Sequence, residues 1–214
     1  MKPNPDYFRQ LHSLLKPACP IAYPPCDGSL VMSLIRGILS QNTSDRNRDM
    51  AFEKLKEAYP TPQKLVQATA EEIEKLISPA GLAPTKSRRI YNLLRQVDDK
   101  RLSLLRYMPP EKAMEYLVSL DGIGIKTAAV FLLFNFSHPF FPVDTHIDRV
   151  TRRLGIVRKG VGRKRVQELL TRLVPTELML PLHLELIHLG RRWCKARRPL
   201  CETCPVSKIC ESSQ

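Results

Sequence analysis

Apolar residues in this chain recur three and four positions apart, with helix-opening and helix-closing residues set between the runs. From 44 to 59, Phe52, Leu55 and Tyr59 form one stripe, and Arg46, Arg48, Glu53 and Lys56 occupy the positions between. That spacing buries one side of an α-helix and wets the other. The same reading predicts helices over 6–15, 29–39, 71–77, 87–97, 110–119, 126–136 and 164–173. Thr61-Pro62 sets a hydroxyl cap before a proline at the first helical position, and Thr69-Ala70-Glu71-Glu72 is a capping box. Alternating strand patterns bounded by hairpin turns are scarce. Eighteen prolines fit as helix punctuation, because proline is tolerated in a first turn and interrupts a helix elsewhere. The chain therefore reads as all-α, with roughly ten or more short helices on short connections. Connections near 20–28 and 137–142 divide it into a central block and an outer part made from both ends.

With 214 residues, the chain has material for one large domain or two small ones. Hydrophobic residues at 43% and charged residues at 26% exclude a wholly disordered chain. The formal charge of +13 strains a compact fold by self-repulsion, which a polyanion would relieve. The longest strongly apolar run, Ala128–Phe134, falls far short of the ~20 residues that cross a bilayer. The first six residues show no hydrophobic signal core. These features lead us to expect a soluble intracellular protein in a reducing compartment, with no membrane partner. There, six cysteines are metal ligands or buried thiols rather than a disulfide framework.

Three constellations carry chemistry. Leu120-Asp121-Gly122-Ile123-Gly124-Ile125-Lys126-Thr127-Ala128 lies between two helical patterns. Two glycines in a tight interhelical turn permit positive φ and close approach of another backbone. The amides opening the second helix then face a phosphate, as in a helix–hairpin–helix that grips DNA without reading sequence. A plain αα-corner with packing glycines is the alternative. A nucleotide-binding Rossmann turn fits less well, since no strand precedes it and no third glycine follows. Lys126, in the opening turn, meets the positive end of the helix dipole, and apolar neighbours would desolvate it. Both effects favour the neutral, nucleophilic amine. Its other reading is a simple phosphate contact.

The second constellation is Phe141-Pro142-Val143-Asp144-Thr145-His146. Asp144 stands where a helix begins, and its plain role is an N-cap accepting a backbone N–H bond. Capping would keep it ionised, and a carboxylate near a sugar stabilises a developing oxocarbenium ion. His146 reads as an orienting or packing residue. The third constellation is Cys194, Cys201, Cys204 and Cys210, spaced C-x6-C-x2-C-x5-C. Four thiolates in one short segment suit a tetrahedral zinc or a single [4Fe–4S] cluster. Chemistry alone leaves the two open. Cys19 and Cys26 read as ordinary thiols.

Arg149, Arg152, Arg153, Arg158, Lys159, Arg163, Lys164 and Arg165 crowd one stretch with no acidic residue among them. Some belong to a solvated face, but their concentration near the cysteines favours a DNA track. Gln41 and Asn42, just past an apolar helical run, offer amides to an orphan base. Leu82, in a turn, suits a wedge between bases. A polar cap for Asn42 and a core anchor for Leu82 are the plainer readings.

The hairpin followed by Val143-Asp144-Thr145-His146 resembles the signature of the helix–hairpin–helix DNA glycosylase superfamily. The resemblance extends upstream to Ile38-Leu39-Ser40-Gln41-Asn42-Thr43-Ser44-Asp45 and downstream to the cysteines. It is most similar to the endonuclease III group, bifunctional glycosylase/AP lyases acting on oxidised pyrimidines. Asp121 departs from the proline often found between the hairpin leucine and glycine. Adenine-mismatch glycosylases of the superfamily lack the lysine and carry a further C-terminal domain, whereas this sequence has Lys126 and stops soon after Cys210.

The resemblance implies a two-lobed all-α fold. A six-helix barrel with the hairpin would span 28–138, and a [4Fe–4S] cluster domain would comprise 1–27 and 139–214. It implies Lys126 as nucleophile, Asp144 as the essential carboxylate, and Cys194, Cys201, Cys204 and Cys210 as ligands of a structural cluster. The loop they fix would aim Lys195, Arg197 and Arg198 at DNA phosphates. Gln41, Asn42 and Leu82 would fill the gap left by an extruded base. Gly122, Ile123, Gly124, Thr127 and His146 complete the expected DNA contacts. The expected partner is double-stranded DNA carrying damaged bases or abasic sites, bound in a cleft by a monomer. The expected compartment is the cytoplasm, at the nucleoid, in a prokaryote and the nucleus or mitochondrion in a eukaryote. Two other readings stay open: a glycosylase for mismatched or otherwise modified bases, and a DNA-binding protein without catalysis.

Overall fold

The structure, a computed structural model, describes residues 3–21 and 28–213; Cys26 and the expected 27/28 boundary lie outside or at the edge of these. Every regular element among them is helical, and none of the helices is long and apolar enough to cross a membrane. The chain divides into two compact units, residues 25–136 and residues 1–24 with 137–214.

The unit 25–136 holds α2 (Leu30–Leu39), α3 (Asp45–Ala58), α4 (Pro62–Leu65), α5 (Ala70–Ile77), α6 (Ala83–Gln96), α7 (Asp99–Ser103), α8 (Pro110–Ser119) and α9 (Ile125–Phe136). Helix α2 is its axis and packs against α3, α6, α7 and α9. Six of its ten residues, Val31, Met32, Leu34, Ile35, Ile38 and Leu39, are buried, as a helix with neighbours on several sides requires. Gly37 lets α9 come close, for a Cβ there would stand 2.9 Å from the Thr127 methyl. The start of α2 is held by Asp99, whose Oδ1 accepts from the Ser29 hydroxyl at 2.9 Å and the Val31 amide at 2.8 Å. A carboxylate there also meets the positive helix end.

Local signals set the caps. Ser44 and Thr61 cap α3 and α4, and the Thr69–Glu72 capping box closes in both directions, a cap being worth about 1 kcal/mol. Three elements differ from expectation, α7 being absent from the periodic reading. Helix α6 begins at Ala83 rather than 87, because Pro84 serves its first turn instead of excluding it. The periodic reading passed over α12 (Thr176–Arg192), the longest helix described. Pro181 interrupts its pattern, yet Met179, Leu182, His183, Leu186 and Leu189 form a buried stripe.

The other unit is built from α1 (Pro5–Leu15), α10 (Thr145–Arg153), α11 (Arg163–Leu173) and α12. Helix α12 packs on both α1 and α10. Gly190 permits the second approach, since a Cβ there would lie 2.8 Å from that of His146. Between α1 and α12, Glu185 is 0% exposed, and His12 Nδ1 lies 2.9 Å from its Oε1. Burial pushes this carboxyl above its usual range, and the His12 hydrogen bond and charge oppose the shift. Removing one member of such a pair strands the other. His12→Ala is therefore expected to cost about 2–3 kcal/mol in urea unfolding. Adding Glu185→Gln should restore part of that loss; two simply additive losses would show that the pair carries no such coupling.

Candidate functional site

The hairpin is assembled by backbone bonds and two side chains from elsewhere in its unit. The Ile123 amide donates to Leu120 O at 3.1 Å and the Ala128 amide to Gly124 O at 2.9 Å, closing the turn and starting α9. Gly122 takes φ +79°, a left-handed value costly for other residues. Gln41 Nε2 donates to Gly122 O at 2.8 Å, and Arg89 Nη1 donates to Gln41 Oε1 at 3.1 Å. The Arg89 stem passes so near that a Cβ on Gly122 would meet its Cδ at 2.5 Å. Gly124, by contrast, has nothing within 4 Å of a Cβ position. One glycine is thus demanded by the fold, while the other keeps a surface open.

Lys126 is the second residue of α9 and is exposed. Its apolar neighbours therefore do not enclose it, and its place in the opening turn of the helix remains. The side chains of Ile123 and Thr127 are buried. Thr127 packs against Gly37, so both residues present backbone rather than side chain at the turn. Gln41, expected to offer its amide outward, spends it on Gly122 and Arg89. Asn42 and Leu82 do project: both are left-handed, with φ +53° and +52°, and Leu82 is 58% exposed.

In the other unit, Asp144 caps α10, its Oδ1 accepting from the Ile147 amide at 2.8 Å. The segment leading to it is pinned. Phe141 N donates to Thr171 Oγ1 at 2.9 Å, and His183 Nδ1 lies 3.1 Å from Pro142 O. The buried side chains of Phe141 and Val143 anchor the same stretch. His146 faces Arg149, with Nδ1 3.0 Å from its Nη2.

The four cysteines line one cavity of about 120 Å³, several times the ~30 Å³ share of a water molecule in the liquid. Burial raises the thiols of Cys204 and Cys210. Backbone N–H bonds oppose the shift, while the neighbouring cysteines add to it. Such a set binds a cationic group by losing its protons. Among the described residues, no three His, Cys, Asp or Glu side chains stand close enough to hold a single metal ion. Four sulfurs spread around a cavity fit a cluster whose four irons take one thiolate each, not a zinc with every ligand about 2.3 Å away.

Arginines of α10 tie this loop down, a role the sequence reading did not foresee. Arg149 Nε donates to Cys194 O at 2.9 Å. Arg153 donates to Lys195 O at 2.7 Å and Ala196 O at 3.1 Å, with Nη1 3.4 Å from Cys194 Sγ. Arg152 pairs with Asp148 at 2.7 Å. Three cations expected in a DNA track are thus used internally. Arg158, Lys159, Arg163, Lys164, Lys195, Arg197 and Arg198 remain exposed. No local signal separates the two groups, because the partners of Arg149 and Arg153 lie more than forty residues away. From this geometry, Gly122→Ala is expected to cost about 1–2 kcal/mol in urea unfolding and Gly124→Ala under about 0.5. Equal losses would overturn the distinction.

Comparison with known proteins agrees with this architecture. Residues 35–176 match the HhH-GPD superfamily of base excision DNA repair proteins, and 194–210 match the iron–sulfur binding domain of endonuclease III. Endonuclease III of Thermotoga maritima is 37% identical over 83% of this chain and 81% of its own. That of Sulfolobus acidocaldarius is 36% identical over 84% and 80%. A structure of a trapped endonuclease III–DNA covalent intermediate superposes with a TM-score of 0.80, at 29% identity over 96% of each chain. A thermostable thymine-DNA glycosylase shares the fold at a TM-score of 0.77 and 21% identity. The chain belongs to the endonuclease III family of helix–hairpin–helix base excision repair enzymes, a DNA-binding glycosylase and AP lyase with a [4Fe–4S] cluster.

Proposed function

We propose that this enzyme removes oxidised pyrimidines from duplex DNA as a monomer and cuts the resulting abasic strand through Lys126. The observation that carries this reading is an exposed lysine in the opening turn of α9, two residues past the open surface at Gly124. The relative captured covalently on DNA supports an attack by a side chain over one by water. The Nζ lone pair forms a bond to the sugar C1′ while the glycosidic bond breaks and the base departs with a proton. Ring opening yields a protonated imine, and loss of a C2′ proton expels the 3′ phosphate. Asp144, held as a cap, supports the positive charge that builds on the sugar.

Asn42 and Leu82 fill the vacated position, and the backbone at Gly122–Thr127 grips the phosphates. Gln41 joins Asn42 once its amide exchanges partners. His146 orients Arg149, which braces the cysteine loop. Lys195, Arg197 and Arg198, with the exposed cations of 158–164, contact DNA by charge, so affinity falls steeply with salt. Cys194, Cys201, Cys204 and Cys210 hold the cluster, which supplies cross-linking of the loop. The barrel proposed for 28–138 and the cluster domain proposed for 1–27 with 139–214 correspond, to within three residues at each boundary, to the compact units 25–136 and 1–24 with 137–214. The compartment is that of the chromosome: nucleoid, nucleus or mitochondrion.

Borohydride reduction on abasic-site DNA should trap the wild-type chain covalently. Lys126→Ala should reduce trapping by at least about a hundredfold; an undiminished adduct would sink the assignment. Among thymine glycol, uracil and mismatched adenine in duplex DNA, thymine glycol should be released fastest. Gly124→Ala should weaken DNA binding while leaving the fold intact. Iron should fall from four atoms per chain to near none in Cys204→Ala, and retention of full iron would remove that ligand from the set.

A further inference from the structure

Lys86 lies on α6 at a position that the stripe of Ile90, Leu93 and Val97 places inside, and it is 1% exposed. Among the described residues it has no carboxylate partner; burial acts on its ammonium and pulls it below the usual lysine range. Burying a cation without a counter-charge is expensive, and a methionine would fill the same volume. What the ammonium adds is two hydrogen bonds. Nζ donates to Leu39 O and to Ala80 O, each at 2.9 Å.

These two carbonyls are not arbitrary. Leu39 is the last residue of α2, and Ala80 is the last of the 3₁₀ turn 78–80. A carbonyl at a helix end has no partner within the helix and must find one elsewhere. The chain leaves Leu39 through Ser40 and Gln41 to left-handed Asn42, and leaves Ala80 through left-handed Gly81 to left-handed Leu82. Non-glycine residues in that region store strain unless their surroundings over-determine them. One nitrogen thus holds the exits of two separate segments, each ending in a projecting, strained residue.

We infer that Lys86 is a positioning residue: its two carbonyl bonds hold the Asn42 and Leu82 turns at a fixed separation, so that both enter a single gap in the base stack. This inference rests on the proposed gap-filling role of those turns. Lys86 touches neither DNA nor the reacting sugar and acts only through the two loops. It therefore matters most where a stack must be opened, and less on a nucleotide already unstacked.

The test compares wild type, Lys86→Met, Leu82→Ala and the double variant on thymine-glycol duplex and on a single-stranded abasic oligonucleotide. Lys86→Met should slow single-turnover base release from the duplex about tenfold or more. Its effect on borohydride trapping with the single strand should be at least about fivefold smaller. In the Leu82→Ala background, Lys86→Met should cost less than about twofold further, because the separation it fixes has already lost one of its two members. A 2-aminopurine beside the lesion should show weaker fluorescence rise with Lys86→Met, reporting incomplete unstacking. Equal losses on both substrates, or multiplicative losses in the double variant, would overturn the inference. If Lys86→Met does not fold by circular dichroism, Lys86→Arg takes its place, since a larger cation displaces both carbonyls and predicts the same selective loss. A wild type inactive on the duplex but trapped on the single strand would instead refute the substrate reading.

Discussion

An α-helix leaves the N–H groups of its first turn and the carbonyls of its last without partners inside it. In this protein nearly every residue of functional interest stands at such an end. Asp144 answers the first amides of α10. Lys126 sits in the opening turn of α9, and Cys194 follows the close of α12. Leu82 stands directly before α6, and Asn42 lies just past α2. Each end must be satisfied for the fold to persist, and where a side chain supplies the bond, as Asp144 does, that bond fixes its direction. The Lys86 ammonium is the extreme case, because one group answers two ends at once.

The same economy governs the positive charge. A chain at +13 has cations to spare for a polyanion, yet several face inward. Arg149 and Arg153 hold carbonyls of the cysteine loop, and Arg89 reaches the hairpin through Gln41. A guanidinium suits this work because its planar fork serves several acceptors and keeps its charge. Lys195, Arg197 and Arg198, left exposed, belong to the same loop that Arg149 and Arg153 brace. Cations that brace the fold and cations that stay exposed are separated only by what lies within reach.

The helices and caps were legible because their determinants are local. The Thr69–Glu72 box, the Thr61-Pro62 start and the stripe through Phe52 and Leu55 each operate within one or two turns. Helix α12 escaped because Pro181 breaks the pattern that the eye follows, although the backbone continues through it. The candidate positions were marked by local sequence as well: Lys126 after a double-glycine turn, Asp144 before a helix, four cysteines in one short segment. Their surroundings were not. Nothing near Gln41 announces that its amide is spent on Gly122, and nothing near Arg149 announces Cys194.

Sequence by itself determined the all-helical class and the hairpin, since each depends on spacing along the chain, and its resemblance pointed to the family and to four cysteines as the ligands. Only the tertiary structure decided which glycine of the hairpin is constrained, which arginines turn inward, and that four sulfurs spread around a cavity. It alone showed that a lysine on a buried stripe ties Leu39 to Ala80. Most of those outcomes depend on contacts between residues thirty or more positions apart. Distance along a chain carries no information about them until the chain has folded.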